Sequence, residues 1–379
     1  MFNDLLIALD QKKEAVLVLL DMSAAFDTID HSILLSRLSE RFGISGTVLD
    51  WFTSYLHERT QTVVVADESS SPRQLLHGVP EGFVLGPVLF TLYVSPMEDI
   101  INAHELDSMF YADDTQIYII FKRRDHLNAI SKLENCIEDL KDWLSVNKLF
   151  LNDSKTEIVH VSSRFDKGSE SLPDITIGNS EISTSEKARN LGVLVDSHLD
   201  LTSHVSKLCA SASLGLRKVG QVRKFLSESQ AEALTHAFIS SRLDSCNALL
   251  YGLPDLQLRK VQRVQNAAAR MVARVKKQEH ITPVLHKLHW LPVKQRIKYK
   301  ILLLTHKCIH GTESPTYLSE LIQNNEQKRN LRSCNKALLA IPKSSTITHG
   351  DRAFSVAAPK LWNNIPFYIR EIENINIFK

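Results

Sequence analysis

The chain has 379 residues, and its 45 Lys and Arg nearly balance its 43 Asp and Glu, for a formal net charge of +2. That total excludes a uniformly basic nucleic-acid-binding protein, but the charges are unevenly placed. Residues 1–200 carry 17 basic and 32 acidic side chains (net −15), whereas residues 201–379 carry 28 and 11 (net +17). Such asymmetry indicates contact with nucleic acid or a membrane on one side of the molecule only.

The composition is that of a globular protein, with 44% hydrophobic and 23% charged residues, and the length predicts two or three domains. Five scattered cysteines without a CxxC pair argue against a disulfide framework and indicate a reducing compartment. The longest apolar run near the start, residues 15–20, is far too short to span a membrane. We therefore expect an intracellular protein, nuclear or cytoplasmic, that is not secreted and makes no membrane contact.

The first predicted element is a buried strand at Ala15–Leu20, an unbroken apolar run rich in β-formers that ends at Asp21. A carboxylate at the end of a buried strand lies at the edge of a sheet, where reactive side chains are often placed. Apolar residues at helical spacing then predict two short helices, over residues 33–42 and 48–56.

A β-hairpin and a helix are predicted next. Residues 61–66 and 73–77 are rich in strand-forming residues, and the turn-rich segment 67–72 between them predicts a solvated hairpin tip. The position of Pro87 is typical of a first helical turn, so we predict a helix that begins there and runs to about Met97.

A second hairpin carries two adjacent carboxylates. Met109–Tyr111 and Gln116–Phe121 read as strands, and the polar residues between them include Asp113 and Asp114. The pattern predicts a tight connection with both carboxylates at its tip.

The remainder of the chain divides into a mixed part and a helical part. Apolar residues at intervals of three and four predict an amphipathic helix over residues 127–144. Short strands are predicted at 156–161, 175–177 and 191–195, and after residue 202 the pattern is almost wholly helical. Because the net charge changes sign at the same place, we predict the main domain boundary there.

The predicted strands could bring Asp21 and Asp113 side by side at one edge of a small sheet, with Asp114 next to them. Three carboxylates in that position would repel one another strongly unless cations lay between them. Two hard divalent cations about 4 Å apart would remove the repulsion and activate an attacking hydroxyl. An Asp-Asp pair at a hairpin tip is by itself more often a simple turn, and the upstream Asp21 is what favours a metal site.

Three runs of residues match the successive palm motifs of one polymerase family: Leu20–His31 (LDMSAAFDTIDH), Gly78–Pro87 (GVPEGFVLGP) and Phe110–Asp114 (FYADD). They resemble the reverse transcriptases of non-LTR (LINE-type, jockey-like) retrotransposons. The resemblance continues through Trp143–Lys148, Leu151–Thr156 and Asn190–Val193 and into the helical C-terminal half. Several motifs in the same order and spacing are far more specific than Tyr-Ala-Asp-Asp alone.

The resemblance implies an RNA-directed DNA polymerase that uses an RNA template, a DNA primer and deoxynucleoside triphosphates. It implies that Asp21 and Asp113 are ligands of two Mg²⁺ ions, or Mn²⁺ in their place, with Asp114 a lesser contributor. It also implies that Lys155 acts on the departing pyrophosphate, either as a general acid that protonates it or as a point charge that stabilises it. The residues that it implies for nucleotide binding are Phe26, Glu81, Gly82 and Tyr111. A bulky ring at Phe26 would exclude a 2′-hydroxyl, although without the resemblance this residue reads as part of the core.

Two features depart from the family pattern. The family's loop reads Pro-Gln-Gly-Ser, where this sequence has Pro80-Glu81-Gly82-Phe83, and an ionised Glu81 only accepts hydrogen bonds and adds negative charge beside a triphosphate. About fourteen residues precede the first predicted strand, which implies an N-terminally shortened copy with truncated fingers. Two functions therefore stay open: a polymerase of impaired activity, or a catalytically dead nucleic-acid-binding remnant of a retroelement.

A basic helix is the candidate nucleic-acid contact. Its arginines recur near helical spacing opposite an apolar stripe, at Arg259, Arg263, Arg270 and Arg274. The plain interpretation is a solvated helix face. Twelve basic residues against two acidic ones between residues 251 and 300 favour phosphate contacts, which need only positive charge.

The predicted fold class is α+β. We expect a polymerase palm, a small antiparallel sheet with helices, together with truncated fingers over residues 1–165. A strand-rich connection similar to a primer grip follows at 166–205, and a basic helical thumb and C-terminal region occupies 206–379.

Overall fold

A computed structural model describes residues 1–79, 84–164, 172–178, 180–311, 314–325 and 337–379. Its contacts divide the chain into two units. The first contains Met1 and Lys13–Leu191, and the second contains Phe2–Lys12 and Gly192–Lys379. This division differs from the predicted boundaries at residues 165 and 205, because the small strands between 175 and 190 pack on the first unit. The chain begins with helix α1 (Phe2–Asp10), which belongs to the second unit and which the sequence patterns did not predict.

The first unit mixes short strands with five α-helices among its described residues. Its elements in chain order are β1 (Glu14–Leu20), β2 (Met22–Ser23), α2 (His31–Glu40), α3 (Gly46–Leu56), β3 (Thr60–Gln61), β4 (Val64–Val65), β5 (Glu68–Ser69), β6 (Arg73–Gln74), α4 (Leu85–Val94), α5 (Pro96–Ala103), β7 (Asp107–Tyr111), β8 (Asp114–Phe121), α6 (His126–Val146), β9 (Phe150–Leu151), β10 (Glu157–Val161), β11 (Ile175–Ile177), β12 (Ser180–Ile182) and β13 (Lys187–Asn190).

A four-stranded antiparallel sheet in the order β10-β1-β8-β7 forms the centre of this unit. The predicted strand at 15–20 is confirmed as β1, which lies between two partners. Its residues Val16, Val18 and Leu20 face a core shared with α2, α4, α5 and α6, while Leu17 on the opposite face is also fully buried. Burial on both faces explains why the strand is an unbroken apolar run rather than an alternating one.

A guanidinium ties three helices of this core together. Arg37 of α2 donates to the carbonyl oxygen of Tyr93 in α4 and to Oδ1 of Asn147, the residue that caps α6, at 2.7 Å. The same guanidinium lies 4.9 Å from the ring centroid of Tyr93 and 5.2 Å from that of Trp143. This half-buried cation is stabilised by two hydrogen bonds to the core and by the aromatic rings beside its guanidinium.

Most predicted elements of the first unit are confirmed, with two corrections. The hairpin expected with a tip at 67–72 turns earlier, at Ala66–Asp67, and pairs only as β4 with β5 and as β3 with β6. The helix expected from Pro87 to Met97 begins two residues earlier and breaks at Ser95, because the next residue, Pro96, starts the separate helix α5.

The second unit is helical apart from one strand among its described residues. Besides α1 it contains β14 (Val193–Asp196), α7 (Thr202–Val222), α8 (Glu228–Thr235), α9 (Ser241–Asp244), α10 (Asp255–Ala273), α11 (Ile281–Lys287), α12 (Val293–His310), α13 (Thr316–Ser319), α14 (Phe354–Asn363), α15 (Phe367–Arg370) and α16 (Ile375–Phe378). A π-helical turn at His236–Ser240 joins α8 to α9. None of the described helices combines the length and the apolar character that crossing a membrane requires.

A buried carboxylate holds α1 in the second unit. Asp10 accepts hydrogen bonds from the backbone N–H groups of Ser345 (3.0 and 2.9 Å to its two oxygens) and Thr346 (2.6 Å), and from Oγ1 of Thr346 (2.7 Å). Near the start of the helix, Oδ1 of Asn3 accepts from the N–H of Ser355 at 3.0 Å. Contacts across more than 330 residues of sequence thus place the helix that leads into β1.

Candidate active site

The strand register brings the carboxylate after β1 to the hairpin between β7 and β8. Leu20 pairs with Thr115, so continuing the antiparallel register by one residue places Asp21 opposite Asp114. Asp114 in turn pairs with Tyr111 across a two-residue connection that contains Asp113. Sequence reasoning expected Asp21 beside Asp113, whereas the register makes Asp114 the direct neighbour of Asp21 and leaves Asp113 in the turn.

Electrostatics support the proximity of these carboxylates. Partial burial raises the pKa of Asp114, and repulsion from Asp113 and then Asp21 raises that pKa further. An extra negative charge at this sheet edge is therefore unfavourable unless positive charge compensates it.

Lys155 provides positive charge at the same edge. Its Nζ lies 3.2 Å from Oδ2 of Asp21. The backbone explains the placement: the N–H of Asn152 donates to the carbonyl oxygen of Asp21 at 2.8 Å, and β2 pairs with β9 immediately beyond. The segment that carries Lys155 is thus attached directly to the residue that its ammonium faces.

The first two sequence motifs are joined through Gly78. Its N–H donates to the carbonyl oxygen of Ile29 at 2.8 Å, and Nε2 of His31 donates to the carbonyl oxygen of Gly78 at 2.8 Å. The next N–H, of Val79, donates to the carbonyl oxygen of Phe26 at 2.8 Å. The loop after Asp21 and the loop that opens the second motif therefore form one hydrogen-bonded structure.

Of the four residues predicted to bind the nucleotide, the structure describes two. Phe26 is half-buried, with its ring 5.0 Å from that of Phe90 in α4, so it both packs on the core and keeps an accessible edge. Tyr111 is 66% exposed at the end of β7, beside the carboxylates. Glu81 and Gly82 lie outside the described residues.

The donor set fits a hard divalent cation, although the side chains are not gathered around one point. Asp21, Asp113 and Asp114 offer carboxylate oxygens, the ligands that Mg²⁺ prefers. Oδ2 of Asp21 is buried and has no hydrogen-bond partner among the described residues, although Lys155 approaches it as an ion pair. Across the described part of the chain, no group of three or more His, Cys, Asp or Glu side chains could hold a metal ion as it stands. The charge of Asp21 is therefore balanced by the ammonium of Lys155, in a position where a bound metal ion would otherwise supply positive charge.

The predicted basic helix is confirmed as α10, but its four arginines differ. Arg270 and Arg274 donate to backbone carbonyl oxygens, of Glu279 (3.2 Å) and of Arg223 (3.3 Å). Arg259 and Arg263 are exposed and form no hydrogen bond or ion pair within the described residues. The two latter guanidinium groups are thus the ones available to a phosphate.

Sequence reasoning missed two contributors to this site. Gly78 and His31 lie within the first two sequence motifs, whose patterns predict no role for them, and only the structure shows that they join the two loops. The only signal at the glycine is its residue type, because glycine adopts a positive φ more readily than other residues do. No comparable signal marks the histidine.

The described site thus consists of an aspartate after β1, an Asp-Asp pair at the β7–β8 hairpin and a lysine at the same sheet edge. The model of the family described as reverse transcriptase (RNA-dependent DNA polymerase) matches residues 3–195. The chain belongs to the reverse transcriptase family.

Individual relatives indicate which branch of the reverse transcriptase family the chain resembles. The chain is 28% identical over 211 residues to the RNA-directed DNA polymerase from mobile element jockey of Drosophila melanogaster, and 26% identical over 211 residues to that of Drosophila funebris. Each alignment covers 54% of this chain but only 22% of the relative. The resemblance to polymerases of non-LTR retrotransposons is thereby confirmed. Among solved structures, apo telomerase from Candida tropicalis superimposes with a TM-score of 0.38 at 14% identity, over 84% of this chain and 55% of that one.

Proposed function

We propose that this reverse transcriptase chain catalyses RNA-directed DNA synthesis, adding deoxynucleotides to a DNA primer on an RNA template. The observations that carry the proposal are the pairing of Leu20 with Thr115, whose continuation sets Asp21 opposite Asp114, and the Nζ of Lys155 at 3.2 Å from Asp21. Carboxylates crowded together with one lysine are costly to a fold, which supports a catalytic role for them.

Asp21, Asp113 and Asp114 are the residues that would hold Mg²⁺, or Mn²⁺ in its place. The bound ions would polarise the primer 3′-hydroxyl and neutralise charge that develops on the triphosphate. Asp21 presents a buried oxygen without a hydrogen-bond partner among the described residues, so one strong ligand position is already oriented by the protein.

Lys155 and Phe26 would act on the nucleotide. In the proposed step the primer 3′-oxygen bonds to the α-phosphorus, while the bond from that phosphorus to the bridging oxygen breaks. The hydroxyl proton passes to water, and Nζ of Lys155 gives a proton to the departing pyrophosphate and recovers one from water. Phe26, fixed against Phe90 at 5.0 Å, would exclude a 2′-hydroxyl from the sugar position.

Primer extension on an RNA template with Mg²⁺ tests the proposal. Asp113→Ala is expected to lower the extension rate at least about 100-fold, since loss of a metal-binding carboxylate removes several kcal/mol of transition-state stabilisation. Asp50→Ala is the matched control, because Asp50 is an exposed carboxylate on α3. Equal rates for wild type and Asp113→Ala, or no extension by wild type, would contradict the catalytic proposal.

The role of Lys155 has its own test. Lys155→Arg keeps the positive charge, but a guanidinium does not release a proton at working pH. Single-turnover rates as low for Lys155→Arg as for Lys155→Ala would support proton donation. Rescue of the rate by arginine would instead assign Lys155 a purely electrostatic role.

A second function, nucleic-acid binding without catalysis, is favoured by the exposed Arg259 and Arg263 in the half of the chain with a net charge of +17. It predicts RNA binding that weakens with salt and is unchanged by Asp113→Ala. Replacing Arg259 and Arg263 together by Ala should reduce the slope of log K against log[salt] by about 2, because each phosphate contact releases a counterion. Binding of this kind without DNA synthesis would select the second function.

A further inference from the structure

The second unit contains a cavity of about 300 Å³ that the polymerase site does not use. One wall is the first turns of α12, another is the chain that leads into α10, and a third comes from the segment 347–360. Its floor is apolar and well packed: Leu253, Leu258 and Ile297 are only 5%, 8% and 2% exposed. A volume near 300 Å³ is at the lower end of the range for small-molecule sites.

Three lysines and two aspartates surround this floor. Lys294 pairs with Asp255 at 3.4 Å, and Lys360 pairs with Asp351 at 2.6 Å. Lys298, one helical turn after Lys294, is exposed and has no hydrogen bond or ion pair within the described residues. The cavity therefore has one uncompensated positive charge, which is suited to an anionic ligand.

Tyr251 adds a second free donor. Its hydroxyl forms no hydrogen bond with any described residue, and the side chain lines the cavity. Burial, together with the negative charge of Asp351, raises the pKa of Tyr251 above its usual value. The phenol thus stays protonated at neutral pH and can donate to a ligand oxygen.

We propose that this cavity binds a nucleotide, with its phosphate at Lys298 and its base on the floor formed by Leu258 and Ile297. An ammonium and a phenol satisfy phosphate oxygens, an apolar floor accepts the face of a base, and the carboxylates of Asp255 and Asp351 can accept from an exocyclic amino group. The proposal goes beyond polymerisation, since none of these residues belongs to the carboxylate site.

Another anionic ligand, a fatty acid, fits less well. A long alkyl chain would lie against the Lys294–Asp255 and Lys360–Asp351 pairs and bury charged groups that hydrocarbon cannot satisfy. A nucleobase has polar edges that can bond to the same groups. The pattern of an apolar floor with a charged rim therefore favours a nucleotide.

Calorimetric titration of the full chain tests the proposal with three probes: cytidine 5′-monophosphate, a single-stranded cytidine pentanucleotide and inorganic phosphate. Lys298→Glu should weaken nucleotide binding at least about tenfold, because it replaces a charge-assisted hydrogen bond by repulsion. Tyr251→Phe should weaken binding about three- to tenfold, the effect of one lost hydrogen bond. Both side chains lie at the cavity surface, so a thermal unfolding midpoint close to that of wild type is expected for each variant.

Lys300→Glu is the matched control, since Lys300 is an exposed lysine on α12 that does not line the cavity. Its affinity for the nucleotide should stay within about twofold of wild type, as for a surface charge away from the ligand. If the pentanucleotide binds more tightly than the mononucleotide and this binding depends on Lys298, the proposal is supported and the bound nucleotide belongs to a nucleic-acid strand. If only the mononucleotide binds in a Lys298-dependent way, the proposal is supported and the ligand is a free nucleotide.

Three results would overturn the proposal. The first is that neither nucleotide probe binds. The second is that inorganic phosphate binds as tightly as the mononucleotide, because the apolar floor would then contribute nothing. The third is an equal loss of affinity in Lys300→Glu and Lys298→Glu, which would assign the binding to general surface charge. None of these results depends on DNA synthesis, so failure here and failure of the polymerase proposal are distinguishable.

Discussion

Gly78→Ala should destabilise the chain and impair the candidate active site. Gly78 has a φ of +88°, a conformation that other residues rarely adopt, and an added Cβ would lie 2.9 Å from the carbonyl oxygen of Asp27. That oxygen belongs to backbone and cannot rotate away. Relief of the clash would therefore move the loop that also carries Phe26.

The expected magnitude follows from comparison with a second glycine. Gly43 has a similar φ of +66°, but an added Cβ there would meet no atom within 4 Å. Gly43→Ala should therefore cost only the conformational strain, about 1 to 2 kcal/mol. Gly78→Ala adds an overpacking cost of about 1 to 3 kcal/mol, for a total of about 2 to 5 kcal/mol.

Urea unfolding of both variants measures this difference, and steady-state primer extension measures its effect on the site. Gly78→Ala should lower the unfolding midpoint more than Gly43→Ala does and should raise KM for the deoxynucleotide, since the loop before α2 shifts. Gly43→Ala should leave KM unchanged. Equal shifts in the unfolding midpoint would refute the steric reasoning, because backbone strain is common to the two positions.

Three further substitutions test particular interactions. Asp10→Asn should cost about 1 to 3 kcal/mol at pH 7, because charge-assisted hydrogen bonds become neutral ones. Burial raises the pKa of the Asp10 carboxyl, but these hydrogen bonds outweigh burial and lower that pKa below 3.8. The carboxylate therefore stabilises the fold fully above pH 3.8, and this stabilisation is lost as pH falls through the folded-state pKa. Urea midpoints of wild type and Asp10→Asn that still differ after protonation at low pH would contradict this pH dependence. Asp114→Asn should raise the thermal midpoint at pH 7 but not near pH 3. Burial and the neighbouring carboxylates raise the pKa of Asp114, so its ionisation at higher pH opposes folding. An unchanged midpoint at pH 7 would exclude net repulsion between Asp114 and its neighbouring carboxylates. Arg37→Met should lower the free energy of unfolding in urea by about 2 to 4 kcal/mol, because it removes the hydrogen-bond donor to Asn147 and to the carbonyl oxygen of Tyr93. A cost below about 1 kcal/mol would show that packing alone is enough to hold the three helices together.

Local patterns predicted the elements that carry the candidate site. The apolar run before Asp21 was predicted as a central strand and is β1, and the strands flanking Asp113 and Asp114 were predicted as a hairpin and are β7 and β8. Helix α6 was predicted within a few residues of its ends. These elements follow from periodicity and turn chemistry, which act over a few neighbouring residues.

Features that depend on distant partners were predicted less well. The broken helix at Ser95 and the short ladders at 60–74 depend on what packs beside them, and the polar strands β12 and β13 have little apolar pattern of their own. Helix α1 is too short to be assigned from its own pattern and forms through contacts with Thr346 and Ser355 near the other end of the chain.

The sequence by itself determined the family, the identity of the candidate carboxylates and the division of charge between the two halves, because each is a matter of residue type, order and spacing. Only the tertiary structure decided that Asp114 rather than Asp113 is the register neighbour of Asp21, and that Lys155 faces Asp21. It also decided that Arg270 and Arg274 bond to carbonyl oxygens while Arg259 and Arg263 do not. Register and side-chain pairing are set by packing between segments far apart in the chain, and a linear pattern does not record them.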